Sequence, residues 1–145
     1  MTRDDFPYLL EIQTRWADND VYGHVNNVLY YAYFDSIINR YLIEQGGLDI
    51  QVDHVIGVCV ESQCTYKKSI SFPETIQAGL RVTRLGKTSA SYAIGIFRGE
   101  ELCAEGSFVH VFVERAPRRP TDIPPAIRGA LERITSPVSR GPSRT

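Results

Sequence analysis

Val28-Leu29-Tyr30-Tyr31-Ala32-Tyr33-Phe34 is an unbroken run of seven apolar or aromatic residues, and it opens a longer segment of helical spacing. Tyr31, Phe34, Ile38, Tyr41 and Leu42 recur at intervals that place them on one side of an α-helix. Asn26 or Asn27 can cap its start and Gly46-Gly47 its end, so a helix is predicted over 27–45. A helix that is apolar nearly all round is expected to be buried nearly all round.

Working toward the N-terminus, residues 8–16 alternate apolar Leu10 and Ile12 with polar Glu11, Gln13 and Arg15, which reads as a half-buried strand. Toward the C-terminus, four long β-like runs follow: His54 to Lys67, Glu74 to Leu85, Thr88 to Phe97 and Leu102 to Glu114. The short connections between them, Ser71-Phe72-Pro73, Gly86-Lys87 and Arg98-Gly99-Glu100, imply hairpins and therefore antiparallel pairing. Such runs exceed the usual strand of about five or six residues. One buried helix with long antiparallel strands predicts an α+β fold in which the sheet curls around that helix. A short helix is expected within 123–133. The expected organisation is a single domain over 1–135 and a flexible tail, rich in Ser, Pro, Gly and Arg, over 136–145.

The 145 residues suit one domain, and 43% hydrophobic with 23% charged residues is an ordinary globular composition. The 16 basic and 17 acidic side chains nearly cancel, which speaks against a nucleic-acid binder. The balance is uneven, however. Residues 1–114 hold 9 Lys/Arg against 15 Asp/Glu, whereas 115–145 hold 7 Arg against 2 acids. No apolar stretch approaches the roughly 20 residues of a membrane-spanning helix, and the acidic start does not resemble a secretory signal. Cys59, Cys64 and Cys103 are odd in number and form no C-x-x-C pair, which fits a cytoplasmic protein with reduced thiols. Cys59, between Val58 and Val60, is expected in the core.

The densest polar cluster lies between the first strand and the helix: Asp18-Asn19-Asp20-Val21-Tyr22-Gly23-His24-Val25-Asn26-Asn27. Four readings compete for it. A calcium loop matches at Asp18, Asp20 and Gly23, but the position needing a bidentate Glu is Leu29. Asp18, Asp20 and His24 can be drawn together as metal ligands, without any standard ligand spacing. The same residues also make ordinary turns and caps. Finally, a carboxylate just before a helix N-terminus can activate water or attack a carbonyl, while free N–H groups of the first helical turn bind the developing oxyanion. Asp20, Gly23 and Asn26-Asn27 supply those elements within eight residues. No G-x-S-x-G elbow and no phosphate-cradling glycine motif is present.

Arg15-Trp16-x-Asp18-x-Asp20-x-x-Gly23-His24-Val25-Asn26-Asn27, followed by Tyr30-Tyr31 and Phe34, resembles the hot-dog-fold thioesterases of the hydroxybenzoyl-coenzyme A type. It also resembles the related acyl-acyl-carrier-protein thioesterases. The similarity continues through Thr65-Tyr66-x-Lys68, Arg84 to Ser89 and the strand around Phe108 to Val111, covering roughly 8–133. It implies a long antiparallel sheet wrapped around a central helix, and hydrolysis of an acyl-CoA or acyl-carrier-protein thioester without metal or cofactor. It further implies a homodimer or dimer of dimers with sites at the subunit interface. Asp20 matches the family's catalytic Asp, either general base or nucleophile. Gly23, His24, Asn26 and Asn27 match the substrate-binding loop. The carrier-protein branch places Asn where this chain has Tyr22. Glu61, Ser62 and Cys64 lie in the strand from which some members draw a second polar residue, supplied by the partner subunit. Lys67, Lys68, Arg84, Lys87 and Arg115 are candidates to meet the phosphates of CoA, Lys68 foremost. Two rival functions stay open: acyl-thioester binding without catalysis, and hydration or dehydration of an acyl thioester.

Overall fold

The helix that decides the fold, α1, spans Val28–Gly46 in the computed structural model, which describes residues 1–135. At 1.5 Å per residue its 19 residues reach about 28 Å. The chain leaves it through Gly47, whose φ of 72° is the left-handed geometry that glycine reaches without strain. Asn26 caps the start: its Oδ1 accepts the Val28 N–H at 3.1 Å and its carbonyl accepts the Leu29 N–H.

The strands are β1 (Tyr8–Gln13), β2 (Val55–Tyr66), β3 (Thr75–Leu85), β4 (Ser89–Arg98) and β5 (Glu101–Glu114). They form one antiparallel sheet in the order β1-β3-β4-β5-β2, so β1 and β2 are its edges. A second helix, α2 (Pro125–Glu132), follows the sheet. Predicted and observed strands agree to within a few residues, except that β1 stops at Gln13 and Trp16–Asp18 form a single 3₁₀ turn. The proposed tail, 136–145, lies outside the described residues.

One face of the sheet carries Ile76, Ala78, Leu80 and Val82 of β3, Tyr92, Ile94 and Ile96 of β4, and Phe108 and Phe112 of β5, packed with the buried side of α1. Phe34 lies against Gly106, where a Cβ would fall inside its ring and 2.7 Å from the Gln63 carbonyl oxygen. The strand must therefore carry glycine there for the helix to approach. The Tyr41 hydroxyl donates to the Ala130 carbonyl and ties α2 to α1. Phe6 covers the opposite sheet face at the paired Gly79 and Gly95, edge-on to Phe97. A long antiparallel sheet curled around one helix is the hot-dog arrangement.

Three expectations are corrected. The connection through Ser71-Phe72-Pro73 is not a hairpin: β2 pairs with β5 alone while β3 pairs with β1 and β4, so the chain crosses from one edge of the sheet to its other side between β2 and β3. Helix α1 is buried on one side only: Tyr30, Tyr33, Phe34, Ile37, Ile38, Tyr41 and Leu42 face the sheet, whereas Val28, Tyr31 and Ala32 are exposed. A single sheet covers only one side of a helix, so an all-round apolar segment leaves an apolar flank open. Cys59 is exposed rather than in the core, because β2 is an edge strand and its ladder is bulged between Cys59 and Glu61.

Candidate active site

The loop before α1 is a small hairpin of its own. Asn19 and Val25 form an antiparallel bridge, and the Asp20 N–H donates to the His24 carbonyl at 2.8 Å. The Gly23 N–H closes the turn on the Asp20 carbonyl, with Gly23 at φ 84°, a geometry that disfavours side chains. Asp20 Oδ1 accepts the Tyr22 N–H at 2.8 Å, which fixes the carboxylate in its turn.

Three contacts seat this hairpin on the fold. The Val25 N–H donates to the Ile70 carbonyl, the Ser71 hydroxyl to the Gly23 carbonyl, and the Phe72 N–H to Asn19 Oδ1. A fourth anchor is Asp18, buried to 2% exposure. Its carboxylate accepts from the Arg15 N–H and guanidinium and from the Tyr33 hydroxyl, and its carbonyl accepts the Asn26 N–H. Burial alone would raise the Asp18 pKa, but these donors outweigh it and hold the carboxyl below its ordinary value. Burial and the bond to Asp18 push the Tyr33 hydroxyl up, so Tyr33 is a neutral donor. Asp18 therefore turns away from Asp20 and His24. Among the described residues no group of three or more His, Cys, Asp or Glu gathers as metal ligands.

A cavity of 350 Å³ opens at the N-terminus of α1, lined by Asp20, Tyr22, His24, Val25, Asn27, Tyr30, Tyr66, Lys67, Lys68 and Ser69. It brings together Asp20, His24, Asn27, Lys67 and Lys68 of the residues predicted from sequence. Gly23 shapes the turn beneath them, and Asn26 caps the helix. Glu61 does not join them: it pairs with Val109 on the sheet face opposite the helix and is exposed. Ser62, paired with Phe108, and Cys64, paired with Gly106, face the helix. Lys67 meets Glu105 at 3.4 Å and Lys68 meets Glu101 at 4.0 Å, both near the surface. Arg115 is spent on the Asp53 and Ile50 carbonyls, far along the chain from the site loop.

Tyr66, which no motif in the sequence marks as functional, donates its hydroxyl to the Asn27 carbonyl at 3.0 Å and packs edge-on against Tyr30 at 5.0 Å. The signal was its place at the end of the strand leading into Lys67-Lys68. Burial lifts Tyr30 to about 12, so it lines the cavity as a neutral hydroxyl. The Asn27 N–H, unlike its neighbours, donates to no acceptor among the described residues. Asp20, His24 and Asn27, the last with an N–H that meets no acceptor among the described residues, thus line one cavity. The Cys64 and Cys103 thiols are raised, chiefly by burial, which suits neither as a nucleophile.

The family model of the thioesterase-like superfamily matches residues 14–131, from just after β1 into the last turn of α2. The chain belongs to this superfamily. Among solved structures, the PA5185 protein of Pseudomonas aeruginosa is 52% identical, with a TM-score of 0.91 over 93% of this chain and 96% of that one. The PA2801 protein of the same organism is 31% identical, with a TM-score of 0.81 over 87% and 98%. The DHNA-CoA thioesterase of Staphylococcus aureus, 24% identical with a TM-score of 0.73 over 79% and 78%, shares the fold. In this thioesterase-like chain the matched span contains the Asp20 hairpin, the start of α1 and the Tyr66 wall. No described helix is long and apolar enough to cross a membrane.

Proposed function

We propose that the protein hydrolyses acyl-CoA thioesters to the free acid and thiol, with Asp20 as the catalytic carboxylate. The observation that carries this is the convergence of Asp20, His24 and the unbonded Asn27 N–H on one cavity at the start of α1. The thioester carbonyl accepts from the Asn27 N–H, and the helix's N-terminal partial charge favours the oxyanion formed on attack. Asp20 either removes the proton from the attacking water or attacks the carbonyl to form a mixed anhydride that water then cleaves. The thiolate leaves and is protonated in either route. His24 and Lys68 bind the substrate at the rim, Lys68 as a cation toward the CoA phosphates. The chemistry calls on no cofactor.

A homodimer, alone or paired with a second, fits the flank left open. Exposed Val28 and Tyr31 on α1 adjoin the free edge of β2, where Val60 and Tyr66 are also exposed. A second copy laid on this flank buries apolar surface and brings another β2, with its Glu61, to the site. Three free cysteines suit the reducing cytoplasm. The test is a panel of acyl-CoA esters scored by release of free thiol. Turnover of at least one member is expected, and binding without thiol release across the panel would contradict the reading.

A further inference from the structure

The hairpin that carries Asp20 has two sides. Asp20, Tyr22 and His24 line the cavity at the helix start, whereas Asn19, Val21 and Gly23 line a second recess of 610 Å³ together with Trp16 and Ala17. Asp20 belongs to both walls. The two recesses differ in chemistry. The first is rimmed by Lys67, Lys68 and Ser69, and the second holds no charged side chain besides Asp20.

Building on the hydrolase reading, we propose that the second recess binds the acyl arm of the substrate, an unbranched aliphatic chain lying over Trp16, Ala17 and Val21. A thioester whose carbonyl sits at Asp20 must send its two arms in different directions, and the two recesses meet only there. The polar thiol arm takes the lysine side, and the apolar arm takes the side with nothing for a charge to meet. Trp16 and Val21 are 75% and 95% exposed, so the apolar surface stands open to such an arm. It is also preformed. Trp16 stacks edge-on against Phe72 at 6.0 Å, and Phe72 is held through its N–H by Asn19 Oδ1. Removing methylene groups from water there favours longer chains by up to about fourfold per methylene.

Trp16 is the single tryptophan of the chain and reports on the recess directly. The full-length protein is titrated with thioether analogues of acyl-CoA, from acetyl to decanoyl, and with CoA alone. A blue shift of Trp16 emission that grows with chain length, and is missing with CoA alone, is expected. An equal shift with CoA alone, or none with any analogue, would overturn the proposal. So would emission that follows protein concentration instead of ligand, which places a second copy over Trp16. In the kinetic arm, Trp16→Ala and Val21→Asp are expected to lower the ratio of kcat/KM for decanoyl- over acetyl-CoA by about tenfold or more. An unchanged ratio would overturn it too. Because the thioethers are not cleaved, a chain-length-dependent shift without thiol release from any ester would sustain the recess and sink the hydrolase reading.

Discussion

The Tyr66 hydroxyl donates to the Asn27 carbonyl at 3.0 Å, so the last residue of β2 is tied to the residue that opens α1. Asn27 also lines the cavity and carries an N–H that meets no acceptor among the described residues, and the tie holds this residue in place through its carbonyl. Tyr66→Phe removes this bond while keeping the ring against Tyr30. Stability is expected to fall by only about 0.5–1.5 kcal/mol, as for one hydrogen bond. The kcat for thioester hydrolysis is expected to fall more than KM rises, because a displaced oxyanion donor acts on the transition state. Chemical denaturation and steady-state kinetics on one preparation check both.

Asp18 is the buried anchor of the hairpin, bonded to Arg15 and Tyr33. Asp18→Asn keeps the shape but loses the ion pair with Arg15, and about 1–3 kcal/mol of stability is expected to go with it. The lowered folded pKa sets the pH sign. The contribution is complete above the unfolded value of about 3.9 and is lost as pH falls through the folded value. Urea titrations of the parent protein and the variant are expected to converge at strongly acidic pH.

His110 sits in the core on β5, edge-on to Tyr92, Phe108 and Phe112, with its Nδ1 3.3 Å from the Tyr92 hydroxyl. Burial lowers its pKa from 6.5 to about 4. Below pH 6.5 the unfolded chain gains a proton that the folded chain refuses, so stability falls between pH 6.5 and 4 and levels off below. On the order of 2 kcal/mol is expected to be lost between pH 7 and pH 5. Urea unfolding at those two values measures it, and His110→Gln is expected to flatten the difference.

Gly106→Ala tests the closeness of helix and sheet. The added methyl would meet the Phe34 ring and the Gln63 carbonyl, so α1 must shift or β5 and β2 must part. A loss of about 1–3 kcal/mol is expected from such overpacking. Gly99→Ala in the β4–β5 turn is a useful contrast, since a Cβ there meets nothing within 4 Å and only its φ of 60° opposes it.

The helix, the four long strands and the β3–β4 and β4–β5 hairpins were legible because hydrophobic period and short turns are local signals, whereas the pairing of β2 with β5 was not, since it joins strands distant in sequence. Asp20, His24, Asn27 and Lys68 were legible as a cluster because three of them lie within one loop and the fourth lies just past the end of a recognisable strand. Tyr66 was not, since its bond to Asn27 spans 39 residues of sequence. Nor was the division of labour between two like carboxylates. Asp18 and Asp20 are two apart, and only the Tyr33 hydroxyl and the Arg15 guanidinium show which is the buried anchor. The open flank of α1 defeated the burial argument because an apolar run says what avoids water, not which chain covers it.

In the proposed reaction Asp20 performs the chemistry on a thioester held at the start of α1. This role is tested most directly by free-thiol release from acyl-CoA by Asp20→Asn beside the parent protein, with circular dichroism and denaturation confirming that both fold alike. The variant is expected to keep its fold and lose activity by about a hundredfold or more. Hydrolysis at the parent rate in a folded Asp20→Asn protein would mean that Asp20 is not the catalytic carboxylate.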